Sequence, residues 1–177
     1  MSVRNLLDLG GKTAIVTGGS RGIGLQMATA LGEMGAKIAL TARKQDELDD
    51  ARAGLDGAGI ECLTIAGDLA DLGAIPRIVD AVLAHWGQID VLVNNAGCSW
   101  GAPAEDYPDE GWRKVMNLNI DAQFFLCREV GKRSMLPRGS GKIVNIASIA
   151  GLYGNPPAWG MQTMAYNTSK GALINMT

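Results

Sequence analysis

The sequence is short of histidine, of aromatic residues and of excess charge, and each shortage removes a class of function. His85 is the single histidine, and Cys62, Cys98 and Cys127 stand far apart with no CxxC pair. Neighbouring residues therefore build no zinc-type ligand set, and no metal is expected. The same spacing fits reduced thiols in a cytoplasmic protein better than a disulfide framework. A formal net charge of -2 gives none of the basic field that neutralises a phosphate backbone, so nucleic acid is not an expected partner. No apolar run approaches the roughly 20 residues needed to cross a bilayer. Asp8 interrupts the N-terminal residues before any sizeable apolar block, so neither a membrane span nor a signal peptide is expected.

What remains is a chain of 177 residues, 47% hydrophobic and 19% charged, which suits one well-buried core and a single domain over 1–177. Its 24 glycines are scattered without a period and read as tight turns between packed elements. Short apolar runs alternate with longer stretches of helical period, the pattern of βαβ units on a parallel sheet. Strands are expected at Thr13 to Val16, Lys37 to Thr41, Glu61 to Ala66, Asp90 to Val93 and Lys142 to Ala147. They are apolar on both faces, as strands covered by helices above and below must be. Helices are expected at Ile23 to Met34, Gln45 to Ala53, Ala74 to Trp86 and Asp109 to Met135, with a last one from about Ala165 to the final residue. Gly35, Gly59, Gly87 and Gly139 punctuate helix ends. His85, beside Trp86 near such an end, reads as packing or capping.

Directly after the first strand comes Thr17-Gly18-Gly19-Ser20-Arg21-Gly22-Ile23-Gly24. A turn from strand to helix with glycines at 18, 22 and 24 lets backbone approach a pyrophosphate, which the helix amides and dipole then face. Gly18, Ser20, Arg21, Gly22, Ile23 and Gly24 are the candidate phosphate-binding residues. The spacing is not GxGxxG, and no GxxxxGK[ST] is present, which argues against a nucleotide triphosphatase. The second strand ends at Leu40-Thr41-Ala42-Arg43-Lys44, without the acidic residue that would hold a free ribose hydroxyl. Arg43 and Lys44, with Arg21, suit an extra 2′-phosphate, so NADP(H) is favoured over NAD(H); the plainer alternative is that Arg43 and Lys44 simply start a solvated helix. Asp68 is placed to accept from an adenine amino group, or else to cap a helix.

Tyr166 and Lys170 lie four apart and share a helix face. An ammonium one turn away favours the phenolate and suits Tyr166 to general acid/base work. Ser148 ends the fifth strand, where ligands of open α/β sheets bind, and its hydroxyl can polarise a carbonyl.

These motifs occur together in the order of the short-chain dehydrogenase/reductase family, which the chain resembles from about Lys12 to its last residue. Thr17 to Gly24 resembles TGxxxGIG, and Asp68-Leu69 resembles the adenine-site pair. Asn94-Asn95-Ala96-Gly97 resembles NNAG, and Tyr166-Asn167-Thr168-Ser169-Lys170 resembles YxxxK. Asn119 matches the helix asparagine and Ser148 the catalytic serine. The resemblance implies a Rossmann-like, doubly wound parallel sheet and hydride transfer between NADP(H) and a carbonyl/alcohol pair, such as 3-oxoacyl, sugar, polyol or other ketone substrates. It implies Asn119, Ser148, Tyr166 and Lys170 as catalytic residues. Lys170 would hold the nicotinamide ribose and Asn119 a relay water through its helix backbone. Asp68, Leu69, Asn95, Ala96 and Gly97 would line the cofactor site, with Asn94 structural. The apolar stripe of Val115, Leu118, Phe124 and Phe125 would in part pack on a second subunit, so a homo-oligomer is expected.

Two departures stand out. The segment from Ile149 to Ala165 is longer than usual between serine and tyrosine, and its Leu152, Tyr153, Trp159, Met161 and Met164 suggest either an apolar wall beside the substrate or a surface loop packed on its own subunit. The family also continues past the last helix with two strands and a substrate-covering loop, so the chain is expected to be a fragment; the alternative to an oxidoreductase is a fragment or dinucleotide-binding module without turnover.

Overall fold

Strands with no polar face need cover on both sides, and the chain supplies it by packing helices against each face of the sheet. The computed structural model describes residues 6–177; the absence of a signal peptide read from the first residues concerns positions partly outside that range. The strands are β1 (Thr13–Thr17), β2 (Lys37–Ala42), β3 (Cys62–Ala66), β4 (Val91–Asn94) and β5 (Lys142–Asn145). All neighbours pair in parallel, in the order β3-β2-β1-β4-β5. The helices are α1 (Gly22–Glu33), α2 (Gln45–Gly57), α3 (Ala74–Trp86), α4 (Asp109–Met116), α5 (Ala122–Val130) and α6 (Met164–Met176).

Alternation along each strand divides the core in two. Ala14, Val16, Ile38 and Leu40 face α1 and α2, where Ala28, Leu48, Ala51 and Leu55 meet them. Ile15, Ala39 and Leu92 face the other way, against Ile75, Ile78, Val79 and Val82 of α3 and Ala122, Leu126 and Val130 of α5. The amino ends of the central strands are fastened by Asp90, which accepts from Thr13 N at 2.9 Å and Gln88 Nε2 at 3.0 Å and pairs with Arg138. His85 packs edge-on against Trp86 in the last turn of α3, and Gly87 closes that helix in the left-handed region at φ 76°.

Three elements differ from the sequence reading. Asp109 to Met135 is not one regular helix: π-helical turns at Asn117–Asp121 and Gly131–Met135 flank α5. Propensity does not signal such turns, because they are set by what the helix packs on. The helix from Gln45 runs to Gly57 rather than Ala53 because Leu55 still has core to fill. The fifth strand ends at Asn145 rather than Ala147, which frees the chain to turn at Ser148.

No helix among the described residues is long and apolar enough to cross a membrane. The three cysteines are free. Burial, reinforced by Asp56, pushes the Cys62 thiol from an ordinary value near 9.0 up to about 11. The folded chain thus keeps a proton that the unfolded chain releases, so stability falls as pH rises through that window. Chemical denaturation from about pH 9 to about pH 11 is expected to show a loss of about 2 kcal/mol on this account. Cys62→Ala should flatten that slope, whatever it does to absolute stability.

Candidate active site

The chain leaves β1 toward β2 on one side and reaches β4 on the other, so the carboxyl ends of β1 and β4 flank a crevice. Ligands of open α/β sheets bind at such a switch point. Thr17, at the end of β1, ties the two strands together there. Its buried hydroxyl donates to Val93 O at 3.2 Å and accepts from Asn95 N and Ala96 N, both at 2.9 Å. Asn95 returns the link by donating from Nδ2 to Thr17 O at 2.9 Å and Gly18 O at 3.1 Å. The sequence shows Thr17 only as a letter in the glycine motif; its partners lie 76 to 79 residues away.

The glycine turn closes over this joint. A Cβ on Gly24 would stand 2.2 Å from Gly18 O, so α1 can start this close to the strand only without one. Gly22 has φ +57° and open space around it, which leaves room for a ligand against the backbone. Arg21 caps α1 with no side-chain hydrogen bond, and the first turn holds no acidic residue. The uncapped amides and the dipole thus remain available to an anion. These features fit the pyrophosphate of a dinucleotide.

A groove of about 560 Å³ runs from this turn and is bordered by Gly18, Ser20, Arg21, Gly22, Arg43, Asp68, Leu69, Asn95, Ala96 and Gly97. Gly24 is instead buried beneath the turn, and Ile23 is 70% exposed at the helix start outside the groove lining. Asp68 accepts from Ala70 N at 2.9 Å, which makes it the pivot of a loop rather than the cap of α3. Thr41 also borders the groove, and its buried Oγ1 has no partner among the described residues. Glu47, which no sequence motif marks, faces the groove from α2 and meets Ser20, Arg21 and Lys44.

At its far end the groove reaches Gly97. A Cβ there would lie 3.2 Å from Asn119 Oδ1 and 3.9 Å from Lys170 Nζ. Asn119, fully buried in the first π turn, donates to Cys98 O at 3.0 Å and Ser169 Oγ at 2.9 Å and accepts from Cys98 N at 2.9 Å. Ser169 in turn donates to Tyr166 O at 2.7 Å. One carboxamide thereby joins the loop after β4 to the helix carrying Tyr166 and Lys170, by bonds spanning 21 and 50 residues. Lys170 donates to Ile146 O, and its ammonium stands 5.6 Å from the centre of the Tyr166 ring. Burial lowers the Lys170 pKa from its ordinary value, so an oxygen-rich ligand or an anion beside it would be welcomed by a charge that solvent does not serve. Ser148 Oγ accepts from Ala150 N at 3.1 Å, which leaves its own proton free. Its turn abuts α6 so closely that a Cβ on Gly151 would lie 2.5 Å from Lys170 C. The structure thus gathers Asn119, Tyr166 and Lys170, and sets the Ser148 turn against the same helix.

The long segment after Ser148 lies at the surface and still lines a second cleft of about 590 Å³, with Leu152, Tyr153, Met161 and Met164 on one side and Ala102 to Glu105 on the other. Trp159 is not part of that lining. Asn155 holds the segment, donating to Met161 O at 3.1 Å and Thr163 Oγ1 at 3.0 Å, while Asn167 donates to Asn155 Oδ1 at 3.1 Å. No group of His, Cys, Asp or Glu side chains that could hold a metal ion occurs among the described residues.

A parallel sheet with a glycine turn at its switch point and helices on both faces is a Rossmann-like α/β fold. Residues 12–177 match the family model described as short chain dehydrogenase, and the chain belongs to that family. It is 39% identical over 177 residues to gluconate 5-dehydrogenase of Gluconobacter oxydans, covering 100% of this chain and 67% of that protein. It is also 39% identical over 173 residues to a rhamnolipids biosynthesis 3-oxoacyl-[acyl-carrier-protein] reductase of Pseudomonas aeruginosa, covering 96% of this chain and 66% of that one. A short-chain type dehydrogenase/reductase from Mycobacterium marinum superposes with a TM-score of 0.94 at 33% identity, over 100% of this chain and 70% of its own. The chain thus spans about two thirds of the length of these curated relatives.

The turn's two constraints separate by mutation. Gly24→Ala forces backbone apart in a packed joint and is expected to cost about 1–3 kcal/mol in denaturant unfolding. Gly22→Ala meets no atom and carries only left-handed strain, about 1–2 kcal/mol; its larger effect should fall on nucleotide affinity.

Proposed function

We propose that this chain forms the nucleotide-binding and catalytic part of an NADP(H)-dependent oxidoreductase acting on a carbonyl/alcohol pair. The observation that carries the reading is the meeting at Gly97, where the nucleotide groove ends against Asn119 and Lys170. A cofactor laid along the groove from Gly22 would then end beside the helix face that bears Tyr166. Bound there, the cofactor would supply or take up the hydride of a carbonyl/alcohol interconversion.

The side chains do the rest. Tyr166 supplies a proton to the substrate oxygen as a carbonyl is reduced, or takes it as an alcohol is oxidised. Lys170, anchored on Ile146 O and facing Gly97, holds the ribose hydroxyls and keeps positive charge beside the phenol. Ser148 directs its free proton at the substrate oxygen. The Asn119 side chain is fully engaged with Cys98 and Ser169, so it positions Tyr166 and Lys170, and its helix backbone is left to hold a relay water. Asp68 and Leu69 take the adenine, and Asn95, Ala96 and Gly97 allow the close approach of its ribose. Arg21 and Arg43 favour NADP(H) over NAD(H).

Gluconate and 3-oxoacyl chemistry in the relatives, and an amphipathic cleft beside α6, support a sugar acid, polyol, 3-oxoacyl or other ketone substrate. Free thiols suit a reducing cytoplasm, and Phe124, 48% exposed on α5, suits packing against a second copy in a homo-oligomer.

Titration with NADPH and NADH by nucleotide fluorescence, followed by a panel of small ketones, tests the reading. NADPH is expected to bind more tightly and to be oxidised, with turnover falling about 100-fold or more in Tyr166→Phe. Binding without turnover would instead make the chain a dinucleotide-binding module, and an NADH preference would remove the role given to Arg21 and Arg43.

A further inference from the structure

The end of the groove assigned to the 2′-phosphate already contains an anion. Glu47 projects from the first turn of α2 and receives Lys44 Nζ at 2.9 Å, Ser20 Oγ at 3.2 Å and the Arg21 guanidinium at 3.6 Å. Ser20 and Arg21 belong to the glycine turn, so this is more than the usual pairing of an acidic residue with a helix start and its neighbouring lysine. All four residues border the groove. A hydroxyl and two cations converging on a carboxylate are the donor set that a phosphate monoester needs. Arg43, exposed on the same wall, forms no ion pair among the described residues.

We propose that Glu47 sets the discrimination between NADP(H) and NAD(H), its carboxylate standing in for the 2′-phosphate on Ser20, Arg21 and Lys44 until the nucleotide displaces it. The inference rests on the NADP(H) reading above and refines it. With the carboxylate in place the cations are gathered and their charge is partly offset. A phosphate of nearly two negative charges must then push a like charge aside, whereas a ribose hydroxyl can donate to it. The pull of Lys44, with smaller help from Ser20 and Arg21, lowers the Glu47 pKa, so the carboxylate is charged at neutral pH. Discrimination against the phosphate-free nucleotide is consequently weaker than Arg21 and Arg43 alone would give.

The test is parallel titration of the parent chain and Glu47→Gln with NADPH and NADH, with a circular-dichroism melt to show that the variant is folded. The ratio of NADPH to NADH affinity is expected to rise about tenfold in Glu47→Gln, the scale of one close charge pair at a partly solvated site. Glu47→Ala, which cannot bridge to Ser20, should raise it in the same direction and serves if the first variant does not fold. An unchanged ratio with a lowered melting temperature would show Glu47 to be a helix-start residue only and would overturn the proposal. A lowered ratio would overturn it by showing that the carboxylate orders the cations for the phosphate. Failure of both nucleotides to bind parent and variants alike would instead remove the oxidoreductase reading, and this inference with it.

Discussion

The hydrogen bonds of the Thr17 hydroxyl are the joint on which the site depends. One oxygen, fully enclosed between β1 and β4, donates to one strand and accepts from two successive amides of the loop that follows. Parallel strands of this sheet would otherwise be free to end in divergent loops, and both loops that flank the crevice start from this point. The Asn95 side chain closes the same joint from the opposite direction. Gly24 packs down on Gly18 O, which Asn95 also holds, so α1 is aimed by the same few atoms.

From that joint two halves of a site extend. The half proposed to take the adenosine lies over β2 and β3, where charges from the glycine turn and α2 gather around Glu47. The half proposed for the chemistry lies over β4 and β5, where Asn119 is the second joint, binding the loop after β4 to α6. The π turn that holds Asn119 inserts it at a depth that a regular α-helical path would alter. Lys170 is buried at the seam, with its charge facing Gly97 and the Ile146 carbonyl rather than solvent. A buried ammonium is costly for folding unless it is paired or hydrogen-bonded; Lys170 keeps the Ile146 carbonyl as a partner, and its pKa, lowered by burial, records the cost that remains.

The sheet, its direction and most of its helices are legible in the sequence because apolar runs and glycine breaks follow directly from local chemistry. Thr13 to Val16 and Lys37 to Thr41 read as buried strands from their apolar runs, and the structure extends each by one residue. The glycine turn was legible in the same way, through its place after the first strand. Three features were not. The π turns around α5 depend on packing rather than propensity. Glu47 reads as an ordinary acidic residue at a helix start until the fold brings Ser20 and Arg21 to it. Asn119 reaches partners 21 and 50 residues away, and no spacing along the chain points to them. Ile23 and Gly24, which the motif grouped with the ligand-facing glycines, lie respectively outside and beneath the groove lining.

The Thr17 hydroxyl sets both the β1–β4 joint and the crevice that opens beside it. Thr17→Val keeps shape and removes the hydroxyl, while Thr17→Ser keeps the hydroxyl and removes a methyl, so denaturant unfolding and NADPH titration of the pair test it directly. The valine variant is expected to lose about 2–3 kcal/mol of stability, the scale of a buried donor and acceptor set left unpaired, and most of its NADPH affinity, with the serine variant holding its affinity. A valine variant that binds NADPH as the parent does would contradict it.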